Sequence, residues 1–192
     1  MQSHVKMRSV LLVVSVHFLK LIAGLANSNS YHLVAFNVGK LKAPLGDKQV
    51  AEFEKALGPI NDLALISEGF VWQLNMEPHE RQNTGIKILD DDPLLMPQLS
   101  LWTDASLLTH YVVKSGHGMY LKRRKEWFDK LPEPYGVCYW RPSECNDPPM
   151  TFLKDAFDRL EWLKFHGSSP RAFHFREVMK YANPYNYEAD SL

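Results

Sequence analysis

The stretch Tyr31-His32-Leu33-Val34-Ala35-Phe36-Asn37-Val38 decides the fold. It is rich in β-formers. Read with a period of two, it is largely apolar on both faces: Tyr31, Leu33, Ala35 and Asn37 on one, His32, Val34, Phe36 and Val38 on the other. Such a strand belongs inside a sheet, with helices on one side and a partner or pocket on the other. Working outward, Leu41–Gly46 is a loop. Asp47 is placed to cap a helix with Val50, Phe53 and Leu57 at helical spacing. Gly58-Pro59 predicts a kink or break, with a second helical piece over Ile60–Ile66. Strands are expected over Gly69–Leu74 and Leu94–Trp102, the latter at an edge or with a bulge because Pro97 has no N–H. Asp104 or Thr103 can cap a helix through Leu107, Leu108, Tyr111 and Val112, which Ser115-Gly116-His117-Gly118 interrupts. Met119–Leu131 reads as its resumption, Tyr135–Trp140 as a strand, and Thr151 as the cap of an amphipathic helix ending at Gly167. Beyond Ser168 no long apolar period appears, and the end of the chain reads as a loose tail.

The order strand, helix, strand, strand, helix, strand, then an extra C-terminal helix implies an α+β fold. It is the ferredoxin-like split βαβ plan, an antiparallel sheet with helices on one face. That plan leaves the other face bare, and Phe36, Trp72, Trp102, Tyr139 and Trp140 are too apolar to leave in water. A second copy of the chain, a ligand, or both are expected to cover it.

The chain has 192 residues, 22 basic and 22 acidic, so its formal charge is zero. A nucleic-acid binder needs an excess of Lys and Arg to displace counterions, so that class is set aside. With 45% hydrophobic residues the chain can pack a core. No run approaches the length of a membrane span, about 18 apolar residues. Residues 1–26 carry Lys6, Arg8 and Lys20, no acid, an apolar Val10–Val16, and small residues before Asn27. That is the order of a secretory signal peptide, with an uncleaved extension and a cytoplasmic protein as the alternative. Its removal would leave 19 basic against 22 acidic residues in a domain over 27–176 with a tail over 177–192.

Several separated stretches resemble one family: residues 31–45 from Tyr31 to Leu45, Gly69-Phe70-Val71-Trp72-Gln73-Leu74, Leu99-Ser100-Leu101-Trp102-Thr103-Asp104, Ser115-Gly116-His117, residues 121–128, and residues 166–175. Together they resemble the domain of unknown function 3291 family over about residues 31–176. The resemblance implies a dimeric α/β-barrel, two ferredoxin-like sheets packed into one barrel. Its wider superfamily includes cofactor-free monooxygenases, haem-degrading and haem-dependent oxygenases, and members that only bind. One departure stands out: Glu144-Cys145 replaces the Gly-His pair that the family tends to carry after the last strand.

Candidate residues follow. The resemblance places His117 where haem-binding relatives carry an axial ligand, with Asn37 and Trp102 as its matching neighbours. His117 would be that ligand or an acid/base group. By the residues alone it can equally cap a helix beside a glycine break. Trp72 and Trp127 would wall a pocket for a small apolar or aromatic molecule. Arg123 or Arg124, within Lys122-Arg123-Arg124-Lys125, could reach a carboxylate such as a haem propionate, or the run is a solvated face. Asp90-Asp91-Asp92-Pro93 is a turn, with no calcium-loop spacing. Cys138 and Cys145 could form a disulfide in an oxidising compartment. An oxygenase of the monooxygenase type and a non-catalytic binding or structural dimer are the two functional expectations.

Overall fold

The doubly apolar stretch forms β1, Tyr31–Leu41, a central strand. The computed structural model describes residues 31–76 and 84–186, so the expected signal peptide lies outside the described residues. After β1 come α1 (Ala51–Ile66), β2 (Phe70–Gln73), the short α2 (Lys87–Asp91) and β3 (Leu95–Trp102). Then follow α3 (Ala105–Thr109), which runs into a π turn over His110–Lys114, and α4 (His117–Arg123). The two-residue β4 (Phe128–Asp129), β5 (Gly136–Pro142) and the long α5 (Pro149–His166) complete the regular elements. On one side β1 pairs β3, and β3 pairs β2; on its other side β1 pairs β5 along Tyr31–Asn37 and β4 at Lys40–Leu41. Every pairing is antiparallel. This is the ferredoxin-like sheet that the element order predicts.

Some local expectations are corrected. Gly58-Pro59 does not end α1, which runs unbroken across Pro59. Pro59 and Lys55, whose carbonyl loses its partner, are both exposed, so that carbonyl is open to solvent and the cost stays small. Pro97 lies in a central strand, not at an edge. Residues 97 and 99 point their backbone groups toward β2, as Leu74 N–H donating to the Leu99 carbonyl shows. β2 ends before it reaches Pro97, so no donor is missed. Met119–Leu131 is not one helix: α4 stops at Arg123, and a 3₁₀ turn leads into β4. α5 begins at Pro149, not at a Thr151 cap, because a proline at the first turn has its φ preset and no N–H to satisfy.

The larger correction concerns the bare face. Phe36 and Tyr139 do not wait for a second copy; α5 covers them. Its stripe Phe152, Leu153, Ala156, Phe157, Leu160 and Leu163 is buried against Val34, Phe36, Val38, Leu99, Val137 and Tyr139. Phe36 meets Phe157 edge-on at 4.9 Å, and Trp72 stacks on Phe152 at 5.8 Å. Each such side chain contributes about 1.5–3 kcal/mol on burial. The opposite face, with Leu33, Trp102 and Cys138, packs against α1, α3, the π turn and the C-terminal segment. α5 thus covers one side of the sheet within the chain, and the other side is covered at its two ends.

Nor does the chain loosen after Gly167. Phe173 exchanges backbone hydrogen bonds with Cys138 along the outer edge of β5, at 2.8 and 2.9 Å. Ala172, Phe173, Val178 and Tyr181 are buried, and Trp140 Nε1 donates to the Tyr181 carbonyl at 2.7 Å. The packed domain thus continues past residue 176.

Candidate functional site

The side of the sheet opposite α5 has buried ends and an open middle. On β1, Leu33 and Leu41 are buried, whereas Ala35, Asn37 and Gly39 between them are not. On β3, Met96 and Trp102 are buried, Ser100 is partly exposed and Gln98 is exposed. The register sets Asn37 opposite Gln98 and Ala35 opposite Ser100. Leu33, Trp102 and Tyr111 belong to one apolar cluster, Leu41, Met96 and Trp127 to another, and the polar strip lies between them. Asn37 Nδ2 donates to Gln98 Oε1 at 3.2 Å, and Trp102 Nε1 donates to Ser100 Oγ at 3.0 Å. The middle of this face is thus a small, uncharged, partly exposed polar patch between two apolar clusters. Gln98 and Ser100 were not singled out from the sequence. Their signal was there: they alternate in phase with Met96 and Trp102, and so face the helices.

His117 joins this patch through aromatic contacts. Its ring lies 5.1 Å from that of Tyr111, and Tyr111 lies 5.0 Å from Trp102. Tyr111 Oη donates to the Ile60 carbonyl of α1, and burial pushes its hydroxyl up to about 12. The π turn sets up the histidine. Ser115 N–H reaches back to the His110 carbonyl, and His117 N–H is satisfied by Ser115 Oγ. The Val112 carbonyl is thus left to accept from His117 Nδ1 at 3.1 Å. A carbonyl can only accept, so Nδ1 carries the proton and Nε2 keeps its lone pair. Gly118 permits the fold-back: a Cβ there would come 2.6 Å from the Val113 carbonyl oxygen. π turns of this kind recur at functional sites.

Burial lowers the His117 pKa, and burial together with nearby Arg141 lowers that of His32. In both cases the unfolded chain holds the extra proton more readily. Their contribution to stability is present above about pH 6.5 and is lost as pH falls through the folded values. Carbon-detected NMR titration of the imidazoles is expected to place His117 below 6.5 with the proton on Nδ1. A value above 6.5 would contradict the geometry.

The remaining candidates fall elsewhere. Phe70 pairs Trp102 but Trp72 pairs Leu101, because a bulge intervenes. The extra residue turns Trp72 to the α5 face, away from Trp102. Trp127 is only 3% exposed, packed near Phe53 and Tyr120. Arg123 is held by Glu52 and Glu126 and lies over the Trp127 ring, and Arg124 donates to the Leu121 carbonyl. Cys138 and Cys145 are not bonded. Cys138 is buried, its thiol pushed up to about 12, and β5 runs on for four residues, about 13 Å, before the chain turns toward exposed Cys145. Glu144 is likewise exposed.

The residues expected around a haem are not gathered at His117: Arg123 pairs with Glu52 and Glu126, Arg124 donates to the Leu121 carbonyl, and Trp127 is buried near Phe53 and Tyr120. Among the described residues no three His, Cys, Asp or Glu side chains cluster to hold a metal ion, and no helix is long and apolar enough to cross a membrane.

Residues 32–188 match the family described as Domain of unknown function (DUF3291). The chain belongs to the DUF3291 family. The match runs through the C-terminal segment that packs on β5, in agreement with its burial. No curated protein and no solved structure matches this DUF3291 chain.

Proposed function

We propose that this DUF3291 chain binds a small molecule in a cleft floored by Asn37, Gln98 and Ser100. The observation that carries the reading is Gln98, exposed in the middle of β3 between buried Met96 and buried Trp102. An apolar recess with a few convergent polar groups is the usual constitution of a ligand site. The neutral fluorophore N-phenyl-1-naphthylamine is expected to brighten on binding the native chain. Ala35→Phe, which fills the cleft from its floor, is expected to abolish that signal while the melting temperature stays within a few degrees. Undiminished binding by the variant would place the site elsewhere.

A second reading, an oxidoreductase of the monooxygenase type working without a cofactor, is favoured by His117. A neutral imidazole with a free Nε2 can accept a proton from an acidic O–H of a bound substrate. The cleft is built within one chain and does not call for a second copy. A homodimer, expected both from a bare sheet face and from the family resemblance, is left to rest on the resemblance, because α5 covers Phe36 and Tyr139.

A further inference from the structure

We propose that the ligand of this cleft is an uncharged molecule carrying a carbonyl oxygen beside an N–H, as a cyclic amide or imide does; this rests on the cleft reading above. On the face of the sheet opposite α5, every position of β1, β3 and β5 is occupied by an uncharged residue. The polar groups offered are two carboxamides and a hydroxyl. An ionised ligand would enter with no opposite charge on the floor to meet it, at a high desolvation cost. The Arg123 guanidinium is paired with Glu52 and Glu126 and lies over Trp127.

The hydrogen bonds fix what the floor presents. Asn37 Nδ2 donates to Gln98 Oε1. That leaves Asn37 Oδ1 as an acceptor and Gln98 Nε2 as a donor, side by side. Ser100 Oγ already accepts from Trp102 Nε1, so its own O–H remains to donate. A ligand carbonyl accepting from Gln98 and a ligand N–H donating to Asn37 satisfy both amides at once, as paired contacts from Asn and Gln do on the edge of a base. Gly136, opposite Asn37 on β5, leaves room for it: a Cβ there would come 3.0 Å from Asn37 Cβ and 2.9 Å from the Phe36 carbonyl oxygen. Trp102 is buried at one end of the floor, where its Nε1 bond holds the Ser100 hydroxyl in place.

The test uses the full chain labelled with nitrogen-15 and three probes: 2-pyridone, N-methyl-2-pyridone and benzoate. 2-Pyridone is expected to move the side-chain amide signals of Asn37 and Gln98. N-methyl-2-pyridone, which has no N–H, and benzoate, which is charged, are expected to bind at least about tenfold more weakly. Gln98→Glu, at an exposed position that tolerates the change, is expected to weaken 2-pyridone by a similar factor. Equal binding of all three probes would overturn the amide class and leave the cleft standing. So would binding of N-phenyl-1-naphthylamine with no response of those amides to 2-pyridone. If neither the fluorophore nor any probe binds, the cleft reading falls as well.

Discussion

Phe173→Ala is expected to lose about 3–5 kcal/mol in urea unfolding at 25 °C, the usual cost of truncating a core Phe. Phe173 has no solvent exposure, stacks on Tyr181 at 4.8 Å, and lies in the cluster that contains Leu33, Trp102 and Tyr111. Truncation leaves a cavity that the neighbours cannot close, because Phe173 is also pinned by its two backbone bonds to Cys138. Against a total stability of about 5–15 kcal/mol, that is a large fraction. Phe165→Ala is the control. Phe165 is 81% exposed at the end of α5, and its truncation is expected to change stability by no more than about 0.5 kcal/mol. Equal costs at the two positions would mean that the C-terminal segment is not part of the core. Because Trp102 and Tyr111 share the cluster, Phe173→Ala is also expected to disturb the contact that carries His117.

How far the sequence speaks depends on which elements repeat regularly. β1 was legible because its apolar residues fall on both faces, which a central strand demands. The α5 stripe was legible from its helical spacing, and Asp104 from its place before α3, where its carboxylate accepts from Ser106 and Leu107 N–H. The C-terminal segment was not, because bridges and 3₁₀ turns repeat too briefly to show a period. Trp72 was misplaced because a single inserted residue in β2 reverses its face, and a bulge has no fixed sequence mark. Of the candidate site, His117, Asn37 and Trp102 were legible as residue types, but their grouping was not. Tyr111 links His117 to Trp102, while Asn37 turns to Gln98, a partner 61 residues away that only strand register reveals. The sequence marks α5 as an extra helix, but nothing in it says which side of the sheet the helix takes.

Substitution at Leu153, read together with dilution, tests that last point. Leu153 has no solvent exposure and lies in the cluster between α5 and the strands. Leu→Ala at such a position costs about 2–5 kcal/mol. An aspartate costs more, since a carboxylate is brought into an apolar layer without a partner and must either take up a proton or force the helix off the sheet. The expected result is a chain that is largely unfolded or insoluble at neutral pH. Leu153→Ala remains folded enough to give a readable midpoint. If α5 of the same chain covers the sheet, the unfolding midpoints of the native chain and of Leu153→Ala are both unchanged by a roughly hundredfold dilution. If a second copy were instead packed on that face, folding would be tied to association and both midpoints would fall on dilution. Concentration dependence thus separates an intrachain core from a dimer interface with the same apolar residues. It also bears on the cleft. The cleft lies on the opposite side of the sheet from α5, so its floor survives only while α5 holds β1 and β3 in register.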